Sequence, residues 1–287
     1  MSRQRGTMHS SRLLVLASLV LPVVLTAQSP PAPATNVLFI YRESVKAGKV
    51  PAHNAHETAW ARALTAAKSP AHYIAMTSLT GPNEVWYFSA FPTWAAYQKN
   101  NEDVAANSAA TVIGDRFTGG EADLLSDMRG MTLRPRPELG YGPPADLPHM
   151  RFVSVTRISV RPGHTGEFEE ARETVKTAHE TAHLTDSYSI WESSAGTAGA
   201  TFYLFVARKS LAELDEAATI HGAEYTAALG GEEGQKKLAA MQASAVNTQQ
   251  TDHFSFTPSQ SLPPEEWVTG DPEFWKPKAS AMKKKTP

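Results

Sequence analysis

The sequence predicts an α+β fold made of two tandem units, each with the element order β-α-β-β-α-β. The first observation is an internal repeat, in which Arg42–Gly48 (RESVKAG) returns 115 residues later as Arg157–Gly163 (RISVRPG). Further matches at this spacing, or close to it, are Tyr73 with Tyr188, Gly81 with Gly196, and 85–88 with 201–204. The second observation is the alternation of apolar residues that opens each copy. A repeated unit predicts the number of domains and their boundaries together.

Each copy begins with a predicted strand, because every second residue is apolar or β-branched. The residues that share one side are Leu38, Ile40, Arg42 and Ser44 in the first copy, and Val153, Val155, Arg157 and Ser159 in the second. A turn with glycine follows each strand. Helices are then predicted over 56–67 and 165–183, where apolar residues recur on one face.

The remainder of each copy predicts a hairpin, a second helical region and a final strand. The segments are 72–79 with 85–91 and 187–193 with 201–207 for the hairpins, and 131–136 and 253–257 for the final strands. Thr93 and Ser210 are suitable N-caps for the second helical regions. This order is the ferredoxin-like pattern. Because such a sheet carries helices on one face only, the simplest arrangement sets the two bare faces against each other.

In this topology and duplication, residues 36–262 resemble the dimeric α+β barrel superfamily. The resemblance is to antibiotic-biosynthesis-monooxygenase, NIPSNAP-like and EthD-like domains in particular. It implies two ferredoxin-like units that form an intramolecular pseudo-dimeric α+β barrel. Members of the superfamily include cofactor-free oxygenases and haem-degrading or haem-binding proteins. No motif in the chain selects one of these activities, so no catalytic residue is carried over from the family.

The domain organisation follows from the repeat and from the two termini. The predicted segments are a signal peptide at 1–27, a Pro-rich spacer at 28–35, the first repeat at 36–138, a linker at 139–149, the second repeat at 150–262, and a C-terminal strap and basic tail at 263–287. Arg3, Arg5 and Arg12 precede an apolar run at 13–25 that is shorter than a membrane span. We therefore expect an exported, periplasmic or secreted protein without a stable membrane anchor.

Composition excludes several kinds of chemistry. The chain has no cysteine, which rules out disulfides, thiolate catalysis and cysteine-based zinc sites. The formal net charge is −2, with 29 acidic and 27 basic residues. Nucleic-acid binding needs a basic surface, so no nucleic-acid partner is expected. The lysines at 283–285 are interpreted as a solvated tail.

Candidate ligand-binding residues come from both copies. They are Arg42 and Arg157 on the first strands, Tyr73, Trp86, Tyr188 and Trp191 on the hairpins, and His53 and His56 near the first helix. Together they predict a small, mostly apolar or anionic ligand held between the sheets. A structural interpretation stays open for each kind. The arginines could pair with carboxylates, the aromatic rings could form an ordinary core, and the histidines could lie on an exposed first turn.

The string His179-Glu180-Thr181-Ala182-His183 matches the HExxH pattern of zinc hydrolases. Residues four apart share a helix face, so both imidazoles could reach one ion. The helix is expected to end near Leu184, however, and no third histidine follows at the spacing of known relatives. The sequence therefore favours a solvated helix end, with a metal at His179 and His183 as an alternative. No cofactor is predicted.

These observations predict an exported α+β barrel protein of unassigned activity. It would bind a small, mostly apolar ligand or serve as an accessory module. The first alternative is a cofactor-free monooxygenase or a haem-handling enzyme of the barrel type, and the second is a zinc hydrolase that uses residues 179–183. Whether the protein is an enzyme is left open, as is the choice between a monomeric pseudo-dimer and a homodimer.

Overall fold

The computed structural model describes residues 34–217 and 219–276. The predicted signal peptide, the spacer as far as residue 33 and the tail from residue 277 lie outside the described residues. The export of the chain and the proposed domain boundaries therefore stay predictions. Of the helices in the described ranges, none has the length and apolarity needed to cross a bilayer.

Eight strands form one closed antiparallel barrel. They are β1 (Val37–Val45), β2 (Ile74–Ser78), β3 (Glu84–Phe91), β4 (Leu125–Pro135), β5 (Phe152–Val160), β6 (Ser189–Ala195), β7 (Thr201–Arg208) and β8 (Val246–Phe256). Their order around the barrel is β1-β3-β2-β8-β5-β7-β6-β4. Within each half, the first strand lies between the third and the fourth. The pairs β2–β8 and β4–β6 join the halves, so the predicted α+β barrel is confirmed.

Helices cover the outside of the barrel. They are α1 (Val50–Ala66), α2 (Trp94–Ala106), α3 (Ser108–Glu121), α4 (Thr165–Thr181), α5 (Glu213–Ala217), α6 (Ala223–Ala228), α7 (Gly231–Ala245), α8 (Glu265–Gly270) and α9 (Pro272–Trp275). α1 packs against α3 in the first half, and α4 packs against α6 and α7 in the second. The Thr93 side chain accepts a hydrogen bond from the Ala96 amide at 3.1 Å, which confirms the predicted cap of α2.

The barrel interior is filled with large apolar side chains. Trp86 lies near its centre, with ring centroids 5.1 Å from Phe254 and 6.3 Å from Tyr203. Ile40 and Leu133 beside them are fully buried. Alternate strand residues point inward because the side chains of a strand alternate between its two faces. The apolar residues that open the two predicted strand faces, Leu38 and Ile40 in β1 and Val153 and Val155 in β5, therefore belong to a packed core.

The C-terminal segment closes one end of the barrel. Trp275 of α9 is fully buried, and its Nε1 donates a hydrogen bond to the Pro148 carbonyl at 2.7 Å. Trp267 and Phe274 pack beside it, with ring centroids 5.0 and 4.9 Å away. Arg151 lies over the Phe274 ring and pairs with Asp271. This segment thus adds an aromatic cover to the core.

Candidate functional site

The open end of the barrel holds a polar pocket of about 230 Å³ that contains Arg42 and Arg157. Arg42 forms two hydrogen bonds with Glu84, at 2.8 and 2.9 Å, and its guanidinium lies 4.3 Å from the centre of the Trp86 ring. Arg157 donates to Gln250 at 3.2 Å. Both arginines thus point into the barrel mouth and already have protein partners.

The aromatic residues that were predicted to bind a ligand lie in two different parts of the structure. Trp86 and Trp191 belong to the barrel interior, and Tyr73 and Tyr188 lie on the helix side of the sheet. The mouth pocket is smaller than the roughly 300 Å³ at which small-molecule sites begin. Large apolar side chains fill the rest of the barrel interior. The larger space for a mostly apolar ligand is therefore outside the barrel and not between the sheets.

The helix side of the first half contains a buried group of ionisable residues, Glu43, His53 and Glu57, here called the acid–histidine group. Glu43 lies on the outward face of β1, and His53 and Glu57 are one helical turn apart on α1. Their exposed fractions are only 3%, 1% and 5%. Burying charged side chains costs free energy unless they are paired, so this placement needs an explanation.

Hydrogen bonds satisfy the group only in part. His53 Nε2 lies 2.7 Å from Glu43 Oε2, and the Tyr87 hydroxyl donates to the same oxygen at 3.3 Å. Buried Glu57 Oε1 and His53 Nδ1 have no hydrogen-bond partner in the described part of the chain. Glu43 pairs with His53 at 2.7 Å, and Glu57 pairs with His56 at 3.8 Å. The group therefore combines a paired carboxylate–imidazole with a second, unsatisfied carboxyl.

This environment changes the proton affinities of the group. Burial and the nearby Glu43 carboxylate raise the pKa of Glu57 to about 7. Burial lowers the pKa of His53, but the hydrogen bond and charge of Glu43 outweigh it, so the net direction is upward. Burial and the charge of His53 lower the pKa of neighbouring His56. Glu57 is therefore a carboxyl whose protonation changes near neutral pH, as general acid–base catalysis requires.

The raised pKa of Glu57 predicts that stability falls as pH rises. The folded protein binds this proton more tightly than the unfolded chain, whose ordinary pKa is 4.5. The stabilisation is complete below about pH 4.5 and is lost as pH passes through about 7. Between pH 5 and pH 8 the free energy of unfolding should fall by about 2–3 kcal/mol less in Glu57→Gln than in the wild type. Urea unfolding at one-unit pH intervals measures this free energy for both proteins.

Glu224→Gln, on the exposed surface at the start of α6, is the control for exchanging a carboxyl for an amide. A Glu57→Gln protein with the same slope of unfolding free energy against pH as the wild type would contradict the assignment of this titration to Glu57.

A cavity of about 490 Å³ lies between α1, α2 and α3, and Tyr73 of its wall packs toward the acid–histidine group. Its apolar wall is formed by Trp60, Leu64, Ala71, Tyr73, Val104 and Ala110. The Tyr73 ring packs edge-on against Tyr87 at 5.7 Å, and the buried Tyr73 hydroxyl has no hydrogen-bond partner among the described residues. Burial and the charge of Glu57 raise the pKa of Tyr73 well above its usual range, so the hydroxyl stays protonated. Tyr73 thus connects the cavity with the acid–histidine group.

The second half of the chain shows that the fold does not need these polar groups. Ile158 has the same register in the β5–β7 ladder as Glu43 has in the β1–β3 ladder. Phe168 lies four residues after His164, the N-cap of α4, and His53 lies four residues after Lys49, the N-cap of α1. Ile158 and Phe168 belong to an apolar cluster, in which the Phe168 and Phe202 rings are tilted against each other with centroids 4.6 Å apart. The acid–histidine group is therefore a feature of the first half alone.

The HExxH string does not form the pair of ligands that the alternative interpretation required. α4 ends at Thr181, and His183 lies beyond it, exposed and with a φ of 51°. His179 is buried inside α4 and faces Asp186 and His221 instead. A helix that stops two residues before the second histidine cannot place both imidazoles on one helical face.

Sequence reasoning named His53 and His56, with Glu57 beside them, but missed Glu43 as the partner of His53. A signal existed for Glu43, because it follows Phe39 and Tyr41 on the face of β1 against which the helices pack. A charge on such a face predicts a buried partner. His221 carried no comparable signal, since it lies in a short irregular segment before α6.

Comparison with known proteins places the chain by its fold. No protein-family model and no curated protein matches it. Among solved structures, a protein of Fusobacterium nucleatum subsp. nucleatum described as a monooxygenase has 13% identity and a TM-score of 0.51, covering 78% of this chain and 93% of that one. An anthrone oxidase-like protein has 10% identity, a TM-score of 0.49, and coverage of 78% and 92%. The similarity to the Fusobacterium nucleatum structure supports the α+β barrel fold.

A third similar structure corrects the expectation about cofactors. A chlorite dismutase of Candidatus Nitrospira defluvii has 11% identity and a TM-score of 0.43, covering 79% of this chain and 92% of that one. Chlorite dismutases are haem-binding proteins, and this finding conflicts with the prediction that no cofactor is used. The cavity between α1, α2 and α3 is not lined by histidine or cysteine, so its described residues do not fit a histidine-ligated haem. No step proposed below uses haem.

Proposed function

We propose that the protein binds a small, mostly apolar molecule in the cavity between α1, α2 and α3, and that the acid–histidine group transfers a proton on that molecule. The observation that carries the proposal is Glu57, a buried carboxyl with a pKa of about 7 whose charge acts on Tyr73 in the cavity wall. Perturbed carboxyls in apolar surroundings are concentrated at functional sites. A cavity of about 490 Å³ lies within the range of small-molecule sites.

Each group has a chemical role in this proposal. The Tyr73 hydroxyl, protonated and without a partner among the described residues, donates a hydrogen bond to a polar atom of the ligand. Glu57 in its ionised form accepts the proton. The Glu43–His53 pair stabilises the protonated state of Glu57 through the Glu43 charge and keeps His53 oriented at 2.7 Å. One donor and one base at an apolar wall are the minimum for proton abstraction from a carbon or oxygen acid.

The binding part is tested by filling the cavity from one helix position. Gly114 and Gly119 both belong to α3, and a Cβ at either would meet no atom within 4 Å. Only Gly114 lines the cavity. We expect Gly114→Leu to weaken binding of the neutral fluorescent dye N-phenyl-1-naphthylamine at least about tenfold, or 1.4 kcal/mol. Gly119→Leu, the matched control, should bind the dye as the wild type does. Equal affinity of the two variants would contradict this site.

The proton-transfer part needs a separate measurement. Exchange of the α-hydrogens of 1-tetralone with D₂O can be followed by NMR at pH 8. We expect the wild type to accelerate exchange and Glu57→Gln to slow it about a hundredfold, because a positioned general base contributes 10²–10⁴. The variant must still bind the dye. If wild type and Glu57→Gln exchange at the same rate, the protein is a binding protein without this chemistry.

A second candidate function is oxygenation of the bound molecule. It rests on the fold of the Fusobacterium nucleatum protein described as a monooxygenase. Oxygen consumption with 1-naphthol distinguishes it from simple proton transfer. Uptake of oxygen that Gly114→Leu abolishes and Gly119→Leu preserves would favour oxygenation, and no uptake would leave proton transfer as the function.

A further inference from the structure

The helix side of the second half contains a different polar group, formed by His179, Asp186 and His221. His179 is buried near the end of α4, with an exposed fraction of 2%. Asp186 lies five residues beyond α4, and His221 comes from the segment between α5 and α6. One ring nitrogen of each histidine and one carboxylate oxygen lie within 4.8 Å of one another. The proposed proton transfer does not use this group.

Two of the three distances in this group match those between the ligands of a tetrahedral metal ion. His179 Nε2 lies 3.3 Å from His221 Nε2 and 3.4 Å from Asp186 Oδ2. Nitrogen and oxygen ligands at about 2.0–2.1 Å from zinc, in a tetrahedral arrangement, stand about 3.3–3.4 Å apart. In the acid–histidine group, by contrast, His53 Nε2 and Glu43 Oε2 are at the hydrogen-bond distance of 2.7 Å.

The tautomer of His179 also suits metal binding. Its Nδ1 lies 2.7 Å from the Val175 carbonyl, which can only accept a hydrogen bond, so Nδ1 carries the proton. In the neutral ring the Nε2 lone pair then points toward Asp186 and His221. Metal-binding histidines commonly donate their other N–H to a backbone carbonyl in this way. Asp186 Oδ1, buried and without a hydrogen-bond partner among the described residues, is a second carboxylate atom that protein groups leave unsatisfied.

We propose that His179, Asp186 and His221 bind a divalent zinc-class cation. Three protein ligands leave a fourth position for water, which is the usual arrangement of catalytic rather than structural zinc sites. Aromatic rings surround the ligands: Tyr225 is 5.1 Å and Tyr188 is 5.5 Å from the His179 ring. Such rings exclude bulk water and strengthen the binding of a charged ion. The cation also connects the end of α4 with the segment before α6.

Zinc titration of the chelator-treated full chain by calorimetry tests the proposal. We expect one zinc ion per chain, and we expect Co²⁺ at the same site to show the visible spectrum of a four-coordinate ion. Asp186→Asn and His221→Ala should each lower zinc affinity by at least about a hundredfold, since even second-shell partners contribute ten- to a hundredfold. His221 is exposed, so its replacement should leave the fold intact by circular dichroism.

His183→Ala is the matched control, because His183 belongs to the same HExxH string but lies outside the group. Its zinc affinity should equal that of the wild type. Loss of affinity in His183→Ala with retention in His221→Ala would place the ion on the HExxH pair and overturn the proposal. Absence of stoichiometric zinc, or equal affinity of all variants, would overturn it as well. A rise in Tm on adding zinc to the wild type, absent in His221→Ala, supports the site independently.

Discussion

His53→Phe is expected to lower the free energy of unfolding by about 3–5 kcal/mol at pH 8, the cost of breaking a buried ion pair. The replacement removes the histidine partner of Glu43, and the Tyr87 hydroxyl at 3.3 Å is the hydrogen bond that Glu43 retains. A carboxylate that is only 3% exposed is then left inside the helix–sheet layer without a countercharge. Chemical denaturation, followed by tryptophan fluorescence, measures the loss.

Adding Glu43→Ile to His53→Phe should restore most of that loss. The double variant reproduces Ile158 and Phe168, which the second half uses at the corresponding places as ordinary apolar core. Replacing a buried ion pair by apolar residues of similar volume is often neutral or stabilising. The interaction energy from the double-mutant cycle should therefore exceed about 2 kcal/mol, within the range for residues in contact. We expect the double variant to transfer protons more slowly, because Glu57 loses the Glu43 charge that raises its pKa.

An exposed pair with the same geometry is the control. His149 Nδ1 lies 2.7 Å from Asp146 Oδ2, and both side chains are roughly half exposed. His149→Phe should change stability by no more than about 1 kcal/mol, because solvent screens exposed pairs. Two outcomes would contradict a buried ion pair between Glu43 and His53. One is a loss of unfolding free energy in His53→Phe as small as that in His149→Phe, and the other is a double variant less stable than His53→Phe.

Trp275→Ala is expected to lower the free energy of unfolding by about 3–5 kcal/mol, the usual cost of truncating a buried tryptophan. Trp275 is fully buried against Phe256, with ring centroids 5.8 Å apart, and its Nε1 donates to the Pro148 carbonyl. Its removal leaves a cavity at the end of the barrel core and takes from the Pro148 carbonyl the shorter of its two hydrogen bonds. The expected loss is large because α9 has only four residues and depends on this anchor.

The matched control is Trp94→Ala at the start of α2, where the ring is 54% exposed. This change should stay within about 0.5 kcal/mol, as surface substitutions usually do. Both variants are compared by urea unfolding at pH 8. A Trp275→Ala protein as stable as Trp94→Ala would show that the C-terminal segment does not contribute to the core.

The order of elements was predictable because its signals are local. Alternation of apolar residues identified β1 and β5, and the cap at Thr93 identified the start of α2. The bounds of the last strands were not predictable. β4 was expected over 131–136 but spans Leu125–Pro135, and its first half is mostly exposed. Exposed strand residues lack the hydrophobic contrast on which the pattern depends.

The candidate sites were predictable only in fragments. His53 and His179 were identified by their spacing to other histidines, yet their contacts are with Glu43 and with Asp186 and His221. His179 and His221 are 42 residues apart in the chain. Spacing along one helix indicates which residues share a face, but not which distant segment covers that face.

The sequence alone determined the order in which strands and helical regions follow one another, because strand and helix periodicity are properties of neighbouring residues. Only the tertiary structure decided where chemistry is available. Closure through β2–β8 and β4–β6 filled the space between the sheets with Trp86 and its aromatic neighbours. The larger cavity consequently lies among α1, α2 and α3, and the buried ionisable groups lie on the helix side of the barrel, where residues distant in sequence are brought into contact.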